Sequence, residues 1–567
     1  MYIKIIVFAI FSILLIHIAS AVSINIPAVR EGSDSGVLAT LDVELKPGTG
    51  KVYVDTLPLT KIDTQGSARI SKKAVEQVLN TDLSGYDIFY TIRSDANIVG
   101  GPSAGSSMAI ALMAEYLNLP VKEGISLTGT INPDGSIGPI GGVREKAIAV
   151  KSINETTLIV PKGQTINTSD IGIAVIEMGS LEEIADYVLG YKAEYPELEI
   201  IKDDKLQMVM KNISEGFIER TEELSKYNLK NEDLRDKWDE FEGIYNEAKY
   251  LHKNGMYYVS ASRSFSASIG FSYLKNREII TDIEPVLENL RTEKIQTENL
   301  LQESYKTADA VEDIEVILAA EERLGDADAH LKKAWKYFYN NELEPAFYEM
   351  SYAQERLKTI SLWLNLMNYY LGKNLTGIES KIKNLAEIQI KEAATAIVYA
   401  QTLEIDTKDQ EALLDQSQDE YNKEKYGASL FRAAVSQAQT ESLMESFGND
   451  IKEKSNRLGY QATEEIRSAQ MQGITPVMAI SYFEYGKWFQ EKDDVSSLVY
   501  FNYAKVFAQT SSSMHKSADN IIINRNSGIQ MDNKNQEYVF SINDTIIILV
   551  MVMINGIVAG LLVRKCQ

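Results

Sequence analysis

Gly101-Pro102-Ser103-Ala104-Gly105 opens an apolar run that continues to Leu117, and 43 residues after its serine the segment Gly141-Gly142-Val143-Arg144-Glu145-Lys146 sets a lysine on a second helix. Histidine occurs only at His17, His252, His330 and His515, so nothing between Val22 and about residue 240 can complete a Ser-His-Asp triad. A nucleophilic Ser103 must therefore pass its proton to a lysine or a carboxylate.

A serine hydrolase without histidine needs an exposed hydroxyl on a sharp turn, backbone N–H groups aimed at the developing oxyanion, and an amine that is neutral near pH 7. Gly100, Gly101, Pro102 and Gly105 suit the first two needs, because glycine lets backbone approach substrate and proline presets the start of a helix. The N–H groups at the start of the helix would face the oxyanion. Lys146 suits the third. Its helix is expected to open at Gly141-Gly142 and to hide the amine behind Val143, Ala147, Ile148 and Val150. Desolvation disfavours ammonium, and a depression of ~3 units would bring a lysine close to neutrality. Read alone, the same residues also fit plain structure, with Ser103 capping a helix and Gly141-Gly142 making a tight turn.

At this point the chain resembles the proteolytic domain of Lon proteases, serine proteases with a Ser-Lys dyad, from about Ile26 to Gly190. Pro102-Ser103-Ala104-Gly105 matches the family's nucleophile turn, and Pro139-Ile140-Gly141-Gly142-Val143-Arg144-Glu145-Lys146 matches its Pro-Ile-Gly-Gly-x-x-Glu-Lys segment. The resemblance implies that Ser103 is the nucleophile and Lys146 the base. It also implies that Thr128, in Thr128-Gly129, holds the lysine amine by a hydrogen bond, and that no metal or organic cofactor is required. Many members carry an acidic residue shortly before the nucleophile, where Ile98, Val99, Gly100 and Gly101 stand here. The family forms rings, so a homo-oligomer is compatible with the resemblance, while the residues themselves leave the oligomeric state open. Phosphate-cradling Gly-x-x-x-x-Gly-Lys-[Ser/Thr] is missing: Gly50-Lys51, Gly372-Lys373 and Gly486-Lys487 continue with Val52, Asn374 and Trp488.

Proline and glycine divide the chain, since nine of twelve prolines and 19 of 34 glycines precede residue 205. The expected order is thus a turn-rich α/β (α+β) domain over 22–202, then stacked helices over 203–540, with two separately buried cores. In the first part, Val37–Leu45 reads as a strand returned by Lys51–Thr56, and Tyr86–Ile92 as a further short strand. Ile70–Leu79 and Ser103–Leu117 have helical spacing; Ser126–Ile131 reads as a strand, Asn132–Ser136 as a hairpin turn, Thr156–Val160 as a strand and Leu181–Leu189 as a helix. In the second part, aromatic helix ends at Tyr250, Tyr337-Phe338-Tyr339 and Trp488-Phe489 precede polar turns, which predicts helical hairpins with the aromatic stripes as interhelical core.

A net charge of −23 leaves no basic stripe for phosphates and argues against nucleic acid. One cysteine, Cys566, excludes an intrachain disulfide. Lys4, the apolar run to Ile18 and Ala19-Ser20-Ala21 describe a secretory signal over 1–21. Thr545–Val563, 19 residues without charge before Arg564-Lys565, approaches the ~20 residues that span a bilayer. The basic pair puts the short tail 564–567 in the cytoplasm and everything before the span outside. Five Asn-x-Ser/Thr sequons agree with an outward location. The sequence reading is thus an outward-facing, membrane-anchored, ATP-independent serine endopeptidase acting on polypeptides. Two other readings stay open: a non-catalytic α/β domain that supports a helical binding module, and a surface protein that processes only itself.

Overall fold

The computed structural model describes residues 22–526, apart from 31–34, 58, 60, 95–100, 309, 369–377 and 448–449. The signal segment 1–21 and the run 545–563 lie outside these residues. Among the described residues no helix is long and apolar enough to cross a membrane. Described residues from 22 to 518 belong to one compact unit.

The chain begins with strand β1 (Val22–Val29), which pairs antiparallel with β2 (Gly36–Pro47). Strand β3 (Val52–Leu57) does follow a turn, but it does not return along β2. β4 (Tyr86–Ser94) lies between them, antiparallel to β2 and parallel to β3, giving the order β1-β2-β4-β3. Burial explains the insertion: β4 alternates Ile88, Tyr90 and Ile92 into the core beside Leu41 and Val43 of β2, whereas β3 buries none of its residues completely and suits an edge. Asp87 accepts the N–H groups of Thr49 (2.8 Å) and Lys51 (3.0 Å) and so ties the turn to β4.

Helix α1 (Ile62–Leu79) and helix α2 (Gly105–Leu117) fill the core of this layer. Every residue of α2 from Gly105 to Ala114 is buried, so it is a central helix without a wet face. Both helices stop on asparagines in the left-handed region, Asn80 (φ 45°) and Asn118 (φ 52°). A parallel sheet of β5 (Ile125–Leu127), β8 (Thr157–Pro161) and β9 (Ala174–Met178) and a small ribbon of β6 (Thr130–Ile131) and β7 (Ile137–Gly138) complete the α/β part. The expected strand Ser126–Ile131 is broken at Thr128-Gly129, because the Gly129 N–H turns to Ser103 O (2.9 Å). The hairpin turn at Asn132–Ser136 is present, with Thr130 opposite Gly138. Helices α3 (Val143–Ser152) and α4 (Leu181–Leu189) follow; Ser180 caps the latter and Gly190 (φ 69°) ends it.

Beyond residue 203 the chain is helical: α5 (Asp204–Ser225), α6 (Arg235–Lys253), α7 (Tyr257–Ile279), α8 (Glu284–Thr307), α9 (Val311–Tyr339), α10 (Leu343–Leu364), α11 (Ile378–Thr402), α12 (Lys408–Asn422), α13 (Tyr426–Ser446), α14 (Ile451–Met471), α15 (Val477–Phe489) and α16 (Asp494–Asn526). The three aromatic ends predicted from sequence all fall at tight helix-turn-helix junctions: α6 to α7, α9 to α10 and α15 to α16. Their role as core is corrected in part. Tyr250 and Tyr339, on the last turns of their helices, are 67% and 74% exposed.

The main apolar cluster of the helical region and that of the α/β part are distinct, but the α/β part does not close its core alone. Tyr399, Ala400, Ile405 and Met444 of the helical region lie in the hydrophobic core of the α/β part. Around them Lys73 pairs with Glu441, Gln77 with Glu465, and the Asn132 amide donates to Met444 O. Composition marks a change of architecture near residue 203 and carries no signal for side chains that cross it.

Candidate active site

Pro102–Ala104 form a short 3-10 turn, and α2 starts only at Gly105, so Ser103 stands ahead of the α-helix that the sequence reading had it open. Gly101 precedes the turn at φ 113°, and Pro102 occupies its first position. The turn is held from two sides. Ser67 and Ser71 of α1 donate their hydroxyls to Pro102 O (3.3 Å) and Gly105 O (2.8 Å). From the other side, Thr128 Oγ1 (3.2 Å) and the Gly129 N–H (2.9 Å) both donate to Ser103 O. Gly105 is required by close approach: a Cβ there would meet Ile131 Cγ2 at 2.6 Å. Ala104 is half-buried against the core.

Ser67 and Ser71 were not singled out from sequence. Their signal was available, since two hydroxyls four residues apart share a helix face with Ala68, Ala74 and Val75 and must find acceptors when buried.

Lys146 enters from α3. This helix starts at Val143, two residues later than expected, with Gly142 ahead of it at φ 68° and so close to Val29 that a Cβ would come within 2.3 Å of Val29 Cγ2. Gly141, by contrast, has open space around it. Ala147 and Val150 are buried as expected, but Ile148 is 51% exposed, because it turns to the opposite side of α3.

The Lys146 amine lies 3.1 Å from Ser103 Oγ and 3.1 Å from Thr128 Oγ1, on a side chain only 3% exposed. Burial is the one cause that shifts it, pulling the pKa down to about 8. Among the described residues no carboxylate pairs with it to restore the ammonium form. Ser103 is half-buried. The arrangement can therefore carry a proton from a serine hydroxyl to a neutral amine whose orientation is set by a threonine. Two histidines of the helical region are engaged elsewhere: His252 Nδ1 bonds Ser214 Oγ (2.9 Å), and His330 pairs with Glu349 and stacks on Tyr352. Ile98, Val99 and Gly100 lie outside the described residues.

Residues 60–187, the greater part of the α/β region, match the family model of the Lon protease (S16) C-terminal proteolytic domain. Among curated relatives, the chain is 30% identical over 165 residues to Lon protease 1 of Bacillus subtilis (strain 168), covering 27% of this chain and 21% of that protein. It is 39% identical over 94 residues to Lon protease of Geobacter metallireducens, covering 16% and 11%. With the archaeal Lon protease of Methanocaldococcus jannaschii it shares 28% over 131 residues, covering 22% and 20%. The chain thus spans about a fifth or less of the length of these relatives.

Proposed function

We propose that the chain is a serine endopeptidase that hydrolyses peptide bonds with Ser103 as nucleophile and Lys146 as general base. The carrying observation is a buried amine, low in pKa, at hydrogen-bond distance from one serine and one threonine hydroxyl. In the neutral form Lys146 donates to Thr128 and accepts the Ser103 proton as Oγ attacks the scissile carbonyl. The oxyanion forms beside the turn. The Gly105 and Ser106 N–H groups are already donated to Pro102 O and Gly129 O, and Pro102 has no N–H, which leaves the Ser103 and Ala104 N–H groups to supply the oxyanion donors. Lys146 then returns the proton to the leaving amine, and the same lysine activates the water that releases the acyl group.

The pH dependence has a definite sign. Ammonium cannot be a base, so activity should rise with pH and level off above about 8. Two units below that midpoint the rate should be about 100-fold lower. Fluorophosphonate labelling of Ser103 as a function of pH measures this limb, and a rate flat from pH 6 to 9 would remove Lys146 from the mechanism. Thr128→Val should lower the plateau by about tenfold, less than loss of either dyad member, since it frees the amine without removing it.

The same reading places the enzyme in a membrane, through Thr545–Val563, with residues 22 to about 540 outside the cytoplasm and with no need of ATP; the support is the uncharged run before Arg564-Lys565 and the missing phosphate loop. Protease added to intact cells should release a fragment bearing Ser103. Full protection of that fragment reverses the topology.

A further inference from the structure

Tyr399 of α11 reaches across from the helical region into the α/β core, where it is 0% exposed. Its hydroxyl accepts the Ile131 N–H (3.3 Å) and donates to Ile131 O (2.9 Å). One side chain thus occupies both backbone groups of a single β6 residue, as a neighbouring strand would. Ile131 is no remote position. It directly follows Thr128-Gly129-Thr130, it carries the Cγ2 that sets the space at Gly105, and β6–β7 is the only covalent path from Thr128 to Pro139 and on to Lys146.

The rest of that hairpin is gripped from the same side. Gln461 Nε2 of α14 donates to Asp134 O (2.9 Å), the Asn132 amide donates to Met444 O of α13 (3.4 Å), and Arg457 faces the Asp134 carboxylate at 3.9 Å. The ring of Tyr399 also lies on α1 at Gly66, beside the Ser67 that holds Pro102 O. From these contacts we propose that Tyr399 is a positioning residue for the Ser103-Thr128-Lys146 site, so that the helical region sets the geometry of the peptidase turn. This rests on the reading of Ser103 and Lys146 given above.

The test uses the full chain with Tyr399→Phe, which keeps the ring in the core and deletes the hydroxyl. Two quantities are read: the fluorophosphonate labelling rate of Ser103 against pH, and the Lys146 titration by ¹³C NMR, its signal assigned with Lys146→Arg. Loosening β6 admits water to the amine. The plateau rate should fall by about tenfold or more, and the Lys146 midpoint should move up from about 8 by about one unit. Gln461→Leu, which weakens the same grip from another helix, should shift both in the same direction by less, and it serves if Tyr399→Phe fails to fold. A lower melting temperature with an unchanged pH midpoint would make Tyr399 merely structural and overturn the proposal. If the unsubstituted chain takes no label, the peptidase reading falls, and the Lys146 titration alone then decides whether Tyr399 positions the lysine.

Discussion

Lys146→Arg should reduce peptide hydrolysis to background, a loss of about 10⁴-fold or more, and Ser103→Ala should do the same. The arginine keeps the positive charge and hydrogen-bonding reach of the lysine, but its guanidinium holds its proton at every accessible pH and cannot act as a base. No nearby amine can substitute. Lys151 lies on the exposed side of α3, about 140° around the helix from Lys146 at ~3.6 residues per turn. The two losses should not add, because nucleophile and base act as one unit; the double variant should match either single one. Both variants should fold. Lys146→Met should even melt higher than the unsubstituted chain at pH 7, since the ammonium form is penalised by burial there. The sign follows from linkage: the folded pKa, about 8, lies below the unfolded value, so the penalty is full below about pH 8 and is relieved as pH rises toward 10.5. Turnover by Lys146→Arg at the unsubstituted rate would end the Ser-Lys assignment.

Glu441→Gln should destabilise the chain by about 3–5 kcal/mol, the largest stability effect expected outside the apolar cores. Glu441 is 1% exposed on α13 and sits between Lys73 of α1 and Lys505 of α16, whose amine lies 3.5 Å away on a fully buried side chain. Burial pushes its carboxyl up, but Lys73 and Lys505 outweigh that and hold the pKa at about 2. Glu445, 3.8 Å from the same Lys505 amine, is driven the other way by burial, to about 8, so Glu441 is the carboxylate that carries the negative charge. The glutamine keeps the shape and takes from both amines their nearest counter-charge. Urea unfolding at pH 7 measures the loss. The contribution is present above the ordinary carboxylate range and should disappear as pH falls toward about 2. Because the pair joins α1 to α13, the loss should show in one transition followed by probes in both regions. An effect below ~1 kcal/mol would mean that water reaches this cluster and screens it.

Much of the site was legible before any coordinate. Ser103 and Lys146 could be picked out because the chemistry restricts the residue types and because glycine, proline and an apolar helix mark where a sharp turn can present a hydroxyl, whereas Thr128 entered only through the resemblance to the Lon proteolytic domain. The helix Leu181–Leu189 and the hairpin at Asn132–Ser136 were readable for a similar reason, as their signals are local caps and turn residues. Strand pairing was not readable. β2 and β3 look like a hairpin from their separation along the chain, and only the competition for burial among β2, β3 and β4 puts β4 between them.

The sequence by itself determined the types and order of the chemical groups, the change from turn-rich α/β to helices near residue 203, and the charge that disfavours nucleic acid. These are properties of composition and short-range spacing. The tertiary structure alone decided that Ser67, Ser71 and Thr128 hold the carbonyls of the Ser103 turn, and that Tyr399 from 268 residues away holds Ile131. Each of these depends on which surfaces exclude water together, and a long-range contact of one side chain leaves no periodicity in the chain that makes it.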